Sequence, residues 1–344
     1  MATRSASAKP RCASWPSAAP ASPGRRTGAM PNTDDLRLDV ATGIGQGRRE
    51  HQEDAIIADF TIGGEIGLAV LGDGMGGHAA GDVASRIAVT EVFSELKLRS
   101  NDPDRFIRYA PGILREATRG ANGSIAAHMR SHAATTGMGT TLVALAVARD
   151  QLFWLSVGDS PLFLFRDGQL RQINEDHSLA PQIDHMMRLG LLSADEARRH
   201  PDRNCLTSAL TGAEIHQIDC PDRPIGLAVG DIIVAASDGL DSIDRERLRA
   251  LLVQYRRRTS AEIANALFCE LETQGDPEQD NVCFTVIRVV ARGCQPAVAP
   301  HLPAPTERPH KRAALSFLHL RQGGSVRALP LATRFLMALG RRAQ

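Results

Sequence analysis

The chain has 344 residues, 43% hydrophobic and 23% charged, with a formal net charge of +1. This is ordinary globular composition, long enough for one large domain or two small ones. A net charge so close to zero excludes a chain-wide field of the kind that coats nucleic acid or an anionic membrane, so phosphate recognition must come from a local site.

No run of about 18 apolar residues is present, so no membrane span is expected. The six cysteines, at 12, 205, 220, 269, 283 and 294, form neither a C-x-x-C pair nor a zinc-finger spacing. In a chain of this length that predicts reduced thiols in a cytoplasmic protein rather than a disulfide framework. Residues 1–29 are rich in Ala, Ser, Pro and Arg and hold no Asp or Glu. They lack the apolar core of a secretory signal, and their prolines would break a long amphipathic transit helix. The expectation is a disordered tail over residues 1–33, or an over-extended start with Met30 as the true first residue.

Ordered structure is expected from residue 36. Residues 36–40 alternate apolar and polar, as a half-buried strand does, and 54–60 is a second strand candidate. Residues 66–71 are nearly all apolar and end in Gly72-Asp73-Gly74, the pattern of a buried strand closed by a turn. From 79 to 98 the apolar residues Val83, Ile87, Val92 and Leu96 recur at helical steps, and a second helix is expected over 103–129. Residues 141–148, 152–157, 162–165 and 170–173 are short and β-compatible. Arg149-Asp150 and Asp167-Gly168 supply turns, which predicts an antiparallel meander. Residues 181–200 read as a helical insertion. A buried strand over 232–236 ends in Ser237-Asp238-Gly239. Helices from 244 and over 260–271 and a strand over 282–290 complete the ordered region. Strands and helices in blocks argue for an α+β layered domain rather than a doubly wound parallel sheet. After residue 292 the chain becomes Pro-rich. It is read as a flexible tail over 293–344, with a short amphipathic stretch at 329–339.

Four acidic spots lie at the ends of predicted strands beside small or turn residues: Glu53-Asp54, Asp73-Gly74, Asp238-Gly239 and Asp280-Asn281. Alone, each reads as a solvated strand end or a plain turn. Converging, they could not all stay ionised without a positive partner among them. An all-oxygen set without Cys or His selects hard cations, Mg²⁺ or Mn²⁺ rather than Zn²⁺. Three or more carboxylates suit two ions about 3.5–4 Å apart, bridged by one of them.

Further segments stand in a fixed order with these. They are Gly47-Arg48-Arg49-Glu50-His51-Gln52-Glu53-Asp54, Gly72-Asp73-Gly74-Met75-Gly76-Gly77-His78, Gly137-Met138-Gly139-Thr140-Thr141 and Val157-Gly158-Asp159-Ser160. Glu175-Asp176-His177-Ser178, Leu206-Thr207-Ser208-Ala209-Leu210-Thr211-Gly212, Ser237-Asp238-Gly239-Leu240 and Gln279-Asp280-Asn281-Val282 follow. In these eight pieces, spread over about residues 36–291, the chain resembles the bacterial form of the protein phosphatase 2C (PPM) family. The resemblance implies a four-layer α-β-β-α sandwich, two antiparallel sheets flanked by helices, occupying residues 34–292. It implies a metal-dependent serine/threonine protein phosphatase using two Mn²⁺ or Mg²⁺ ions per site.

By the same resemblance, Asp73 bridges both ions and Asp238 and Asp280 complete the first. Glu53 and the Gly74 carbonyl belong to the second, and Asp54 orients metal-bound waters. Arg49 is the phosphate-binding arginine, whose planar fork matches two phosphate oxygens. A hydroxide bridging the ions attacks phosphorus in line with the leaving oxygen. The partners implied are phosphorylated proteins, the products of a serine/threonine kinase. No nucleic acid and no oligomer are expected.

Asp159 and His177, in the remaining motifs, are expected to build structure. The chain departs from the pattern at Met75, where many members carry a histidine proposed as general acid; a thioether cannot donate that proton. Residues 131–138 hold no carboxylate for the third metal of bacterial members, and Pro161 stands where Arg is common. A catalytically inactive phosphatase-like binding module is the rival function, and a metal-dependent nuclease is disfavoured by the near-neutral charge.

Overall fold

The computed structural model describes residues 36–61, 64–76 and 80–291, together with the backbone of 318–319. The tails read over 1–33 and 293–344 lie outside the described residues except for that last pair, as do the stretch at 329–339 and His78.

In chain order the elements begin with β1 (Leu36–Gly45), β2 (Ala55–Asp59), β3 (Ile66–Gly72), β4 (Gly74–Met75), α1 (Gly81–Arg99) and α2 (Pro103–Ser131). They continue with β5 (Gly139–Thr140), β6 (Leu142–Ala148), β7 (Gln151–Val157), β8 (Leu162–Arg166), β9 (Gln169–Gln172), α3 (Ala180–Arg188) and α4 (Ala194–Arg198). Last come β10 (Ile225–Gly226), β11 (Ile232–Ala236), α5 (Arg245–Tyr255), α6 (Ser260–Gln274), β12 (Val282–Ala291) and β13 (Leu318–His319).

One antiparallel sheet has the order β13-β1-β12-β11-β8-β9 and the other β10-β7-β6-β3-β2. The two meet face to face, and alternation along each strand sorts the core into three apolar layers. In β3, Ala69 and Leu71 pack between the sheets while Leu68 and Val70 face α1 and α2. In β11, Ile233 and Ala235 enter the inter-sheet layer while Ile232, Val234 and Ala236 face α5 and α6. Strands buried on both faces need continuous apolar runs, which is why β6 reads LVALAVA without a polar residue. The architecture is the expected four-layer sandwich.

One expectation fails. The four strands read as a single meander form two hairpins in different sheets, β6-β7 in one and β8-β9 in the other. Between them the chain crosses sheets through Gly158, whose φ of +103° an L side chain rarely adopts. There a Cβ would lie 2.7 Å from the Thr141 side chain. Nothing in the alternating pattern distinguishes a hairpin return from a step into the facing sheet. The same crossing carries Asp159 to the end of the sandwich where β3 and β11 also stop.

Candidate active site

The strand ends converge where expected. Glu53 and Asp54 stand just before β2, Asp73 closes β3, Asp238 follows β11, and Asp280 precedes β12. Antiparallel pairing fixes the juxtaposition: Ala55 is opposite Gly72, and Ala236 is opposite Phe284.

Backbone anchoring holds each piece. Asp73 donates its N–H to Thr141 Oγ1 at 3.0 Å, and its carbonyl accepts from Thr141 N–H at 2.9 Å and Thr140 Oγ1 at 2.9 Å. Asn281 acts as the junction. Its Oδ1 accepts from Glu53 N–H at 2.8 Å, and its amide donates to the carbonyls of Gln46 at 2.8 Å and His51 at 3.0 Å. Glycine is required at 74, because a Cβ there would sit 2.2 Å from the Gly81 carbonyl oxygen and 2.6 Å from that of Glu53. This close approach presses the N-terminal end of α1 against the site.

The carboxylates are electrostatically expensive. Asp54 is buried, and one of its oxygens accepts from Ser237 Oγ at 2.7 Å. Its Oδ1 is buried without a hydrogen-bond partner. Burial, helped by the neighbouring Asp238 and Asp280, pushes its pKa up to about 7. Asp73 is driven well above the usual carboxylate range by burial and by Asp54 and Asp238; the Asp73 and Asp238 carboxyls lie within hydrogen-bonding reach of one another. Glu53 is raised by burial and by Asp82. The compensating cation is Arg49, whose Nη2 lies 2.5 Å from Asp280 Oδ2. As the side chains stand, no three His, Cys, Asp or Glu groups among the described residues close around a single point tightly enough to clasp an ion.

Thus Arg49, Glu53, Asp54, Asp73, Gly74, Asp238 and Asp280 are brought to one end of the sandwich. Met75 follows Gly74 in β4, paired with Gly139. The structure also brings Asp159, expected from the sequence to build structure, to this end of the sandwich. Its carboxyl is pushed up to about 7 by burial, then by Asp238 and Asp176. The available signal was that Gly158-Asp159 repeats the acid-beside-glycine pattern of the other strand ends. His177 is buried, with Nδ1 accepting from Gly158 N–H at 3.2 Å. Burial lowers its pKa, and it braces the sheet crossing.

A pocket of about 650 Å³ adjoins Asp159 and Asp238 and is walled by α3 and α5. The segment over 181–200 is helical as expected, forming α3 and α4, anchored through Ile183 and Ala197.

The profile of the family described as protein phosphatase 2C matches residues 46–272. A serine/threonine phosphatase of Listeria monocytogenes, stp, is 31% identical over 225 residues, covering 64% of this chain and 83% of that protein. PstP of Mycobacterium tuberculosis, a serine/threonine protein phosphatase, is 33% identical over 244 residues; the match spans 70% of this chain but 43% of that longer protein. The crystal structure of the M. tuberculosis enzyme superposes with a TM-score of 0.59 at 32% identity, covering 74% of this chain and 99% of that one. The PstP catalytic domain in complex with two manganese ions gives 0.60 at 30% identity, again over 74% and 99%. Family profile, relatives and fold agree, and the chain belongs to the protein phosphatase 2C family, as an enzyme of the serine/threonine phosphatase class.

Proposed function

We propose that this chain hydrolyses phosphoserine and phosphothreonine in proteins, opposing a serine/threonine kinase. One observation carries the reading: carboxylates from well-separated segments meet with Arg49 beside them, and burial raises the cost of their charge, which bound cations would offset.

The residues fit two divalent cations. The orphaned Oδ1 of Asp54 is an acceptor waiting for a donor, such as a water held by an ion. The all-oxygen set favours Mn²⁺ or Mg²⁺. In this reading Asp73, Asp238 and Asp280 would hold one ion, and Asp73 and Glu53 with the Gly74 carbonyl the other. When bound, the ions supply hydroxide at neutral pH and neutralise charge on the phosphoryl oxygens.

The remaining steps belong to the chain. The guanidinium of Arg49, more than half exposed beside Asp280, turns its fork to two phosphoryl oxygens and orients them for in-line attack. Asp54, held by Ser237, fixes water orientation. Met75 has no proton to give, so it cannot act as general acid for the leaving seryl or threonyl oxygen. A cysteine nucleophile has no support: Cys283, beside Asp54, is fully buried, and burial pushes its thiol well above the ordinary range. We further propose that residues 34–292 form the whole catalytic unit, acting as a cytoplasmic monomer. Among the described residues no helix is long and apolar enough to cross a membrane.

The test is hydrolysis of matched phosphoserine, phosphothreonine and phosphotyrosine peptides with and without Mn²⁺. Turnover of the first two should vanish in chelator and return with Mn²⁺ or Mg²⁺. Full turnover in excess EDTA, with metal removal verified, would sink the reading. Metal-dependent peptide binding without turnover would instead identify an inactive binding module.

A further inference from the structure

The first turn of α1 lies against the two groups proposed to hold the second cation with Asp73. A Cβ at Gly81 would sit 2.9 Å from the Gly74 carbonyl oxygen and 3.0 Å from Glu53 Cδ. Ser85, fully buried, pins the turn by donating its hydroxyl to the Glu53 carbonyl at 2.5 Å. Asp82 lies between these two contacts in the chain. After burial, its charge does most to raise Glu53 above the ordinary carboxylate range, which requires the two carboxylates to be close.

The two oxygens of Asp82 differ. Oδ2 pairs with Arg86, one turn along the helix, whose side chain is 60% exposed. Oδ1 is buried and has no hydrogen-bond partner among the described residues. Only two carboxylate oxygens of the described residues are orphaned in this way, Asp54 Oδ1 and Asp82 Oδ1. The first belongs to the carboxylate set already described; the second flanks Glu53 from the helix. The ordinary reasons for an acid in a first helical turn are the positive end of the helix dipole and an i,i+4 ion pair. A solvated carboxylate turned to Arg86 would satisfy both. Neither explains an acceptor withdrawn from water beside a second carboxylate.

A cation at Glu53 explains it. Mg²⁺ and Mn²⁺ take about six oxygens, so Asp73, Glu53 and the Gly74 carbonyl leave about three positions for water, whose hydrogens need acceptors. The same positive charge offsets the repulsion between Glu53 and Asp82. We propose that Asp82 is a positioning residue for the second cation, its Oδ1 accepting a hydrogen bond from water on the ion that Asp73, Glu53 and the Gly74 carbonyl hold. The inference rests on the two-cation reading above and adds to it a residue on a different element. Its consequence is selective: Asp82 sets how tightly one ion is kept, and leaves the other ion and the phosphate contact of Arg49 unchanged.

The test titrates Mn²⁺ into the metal-free full chain by calorimetry and follows hydrolysis of a small aryl phosphate against Mn²⁺ concentration. The wild type should bind two ions, and Glu53→Gln should weaken one of them. Asp82→Asn, which keeps the shape and removes the charge, should weaken one ion about tenfold, and Asp82→Ala at least as much. Turnover of Asp82→Asn should need about tenfold more Mn²⁺ and then recover to within about threefold of the wild type, a metal rescue that a merely structural role would not produce. Arg86→Ala should bind both ions as the wild type does. If Asp82→Ala proves insoluble, Asp82→Asn alone decides. Wild-type affinity for both ions in the Asp82 variants, with Glu53→Gln weakened, would overturn this inference and leave the two-cation reading standing. Equal weakening in Arg86→Ala would trace the effect to the helical turn and overturn it as well. Both ions bound unchanged in Glu53→Gln would instead sink the assignment of the second ion, and this inference with it.

Discussion

Strand β11 carries an aspartate near each end, and the two have opposite fates. Asp231, immediately before the strand, is buried at 2% exposure, yet its carboxylate is fully served. It accepts from Arg166 Nε at 2.8 Å and Nη2 at 2.5 Å and from Ala228 N–H at 2.8 Å. Asp238, two residues past the other end, meets Asp73, Asp280 and Asp54, with Arg49 as the cation nearby. The fold supplies donors at one end and more acceptors at the other. A buried carboxylate given donors is structural. One given further carboxylates raises stability only when something positive is added.

The sharpest break in that comparison is mutational. Asp238→Ala or Asp73→Ala should cut phosphopeptide turnover at least about 10³-fold, because several kcal/mol of charge stabilisation go with the ions. The melting temperature in chelator should hold or rise, since one repelling group is gone. Asp231→Ala should do the reverse. It removes the carboxylate that pairs with Arg166, whose side chain is 21% exposed, costing about 2–3 kcal/mol of stability while activity per folded molecule persists. Thermal melts and single-turnover assays on the three variants decide it. Equal loss of stability at both ends would erase the distinction.

A smaller effect is expected at Arg49. Arg49→Ala should lower kcat/KM for phosphopeptides by about 10- to 100-fold, or about 1.4–2.7 kcal/mol of charge-assisted contact. An unchanged kcat/KM would confine this arginine to its pairing with Asp280.

The smallest effect is on pH dependence. Asp54 is raised from 3.8 to about 7. Between those values the folded protein keeps a proton that the unfolded chain has released, so metal-free stability falls as pH rises through that window and then levels. Melting in chelator should therefore occur a few degrees higher at pH 5 than at pH 7.5. The gap should narrow in Asp54→Asn and in saturating Mn²⁺. A gap unaffected by either would place its origin elsewhere.

Much of this was legible in sequence. The run from Ile66 to Leu71 announced a strand buried on both faces, and the acid-glycine pairs marked strand ends. The spacing of Val83, Ile87, Val92 and Leu96 gave α1 to within two residues at its start. The sheet crossing at Gly158 was not legible, because alternation records which face a residue takes and not which sheet its strand joins. The position of Asp159 beside the other acids was not legible for the same reason: its neighbours Asp238 and Asp176 are remote in sequence and adjacent only after the crossing.

The sequence by itself determined the runs buried on both faces, the all-oxygen set of candidate ligands and, through its ordered motifs, the resemblance to the family, because hydrophobic period and residue type are local properties that survive in one dimension. Tertiary structure alone decided which acids are served and which repel. The difference between Asp231 and Asp238 lies in partners such as Arg166, 65 residues from Asp231 along the chain.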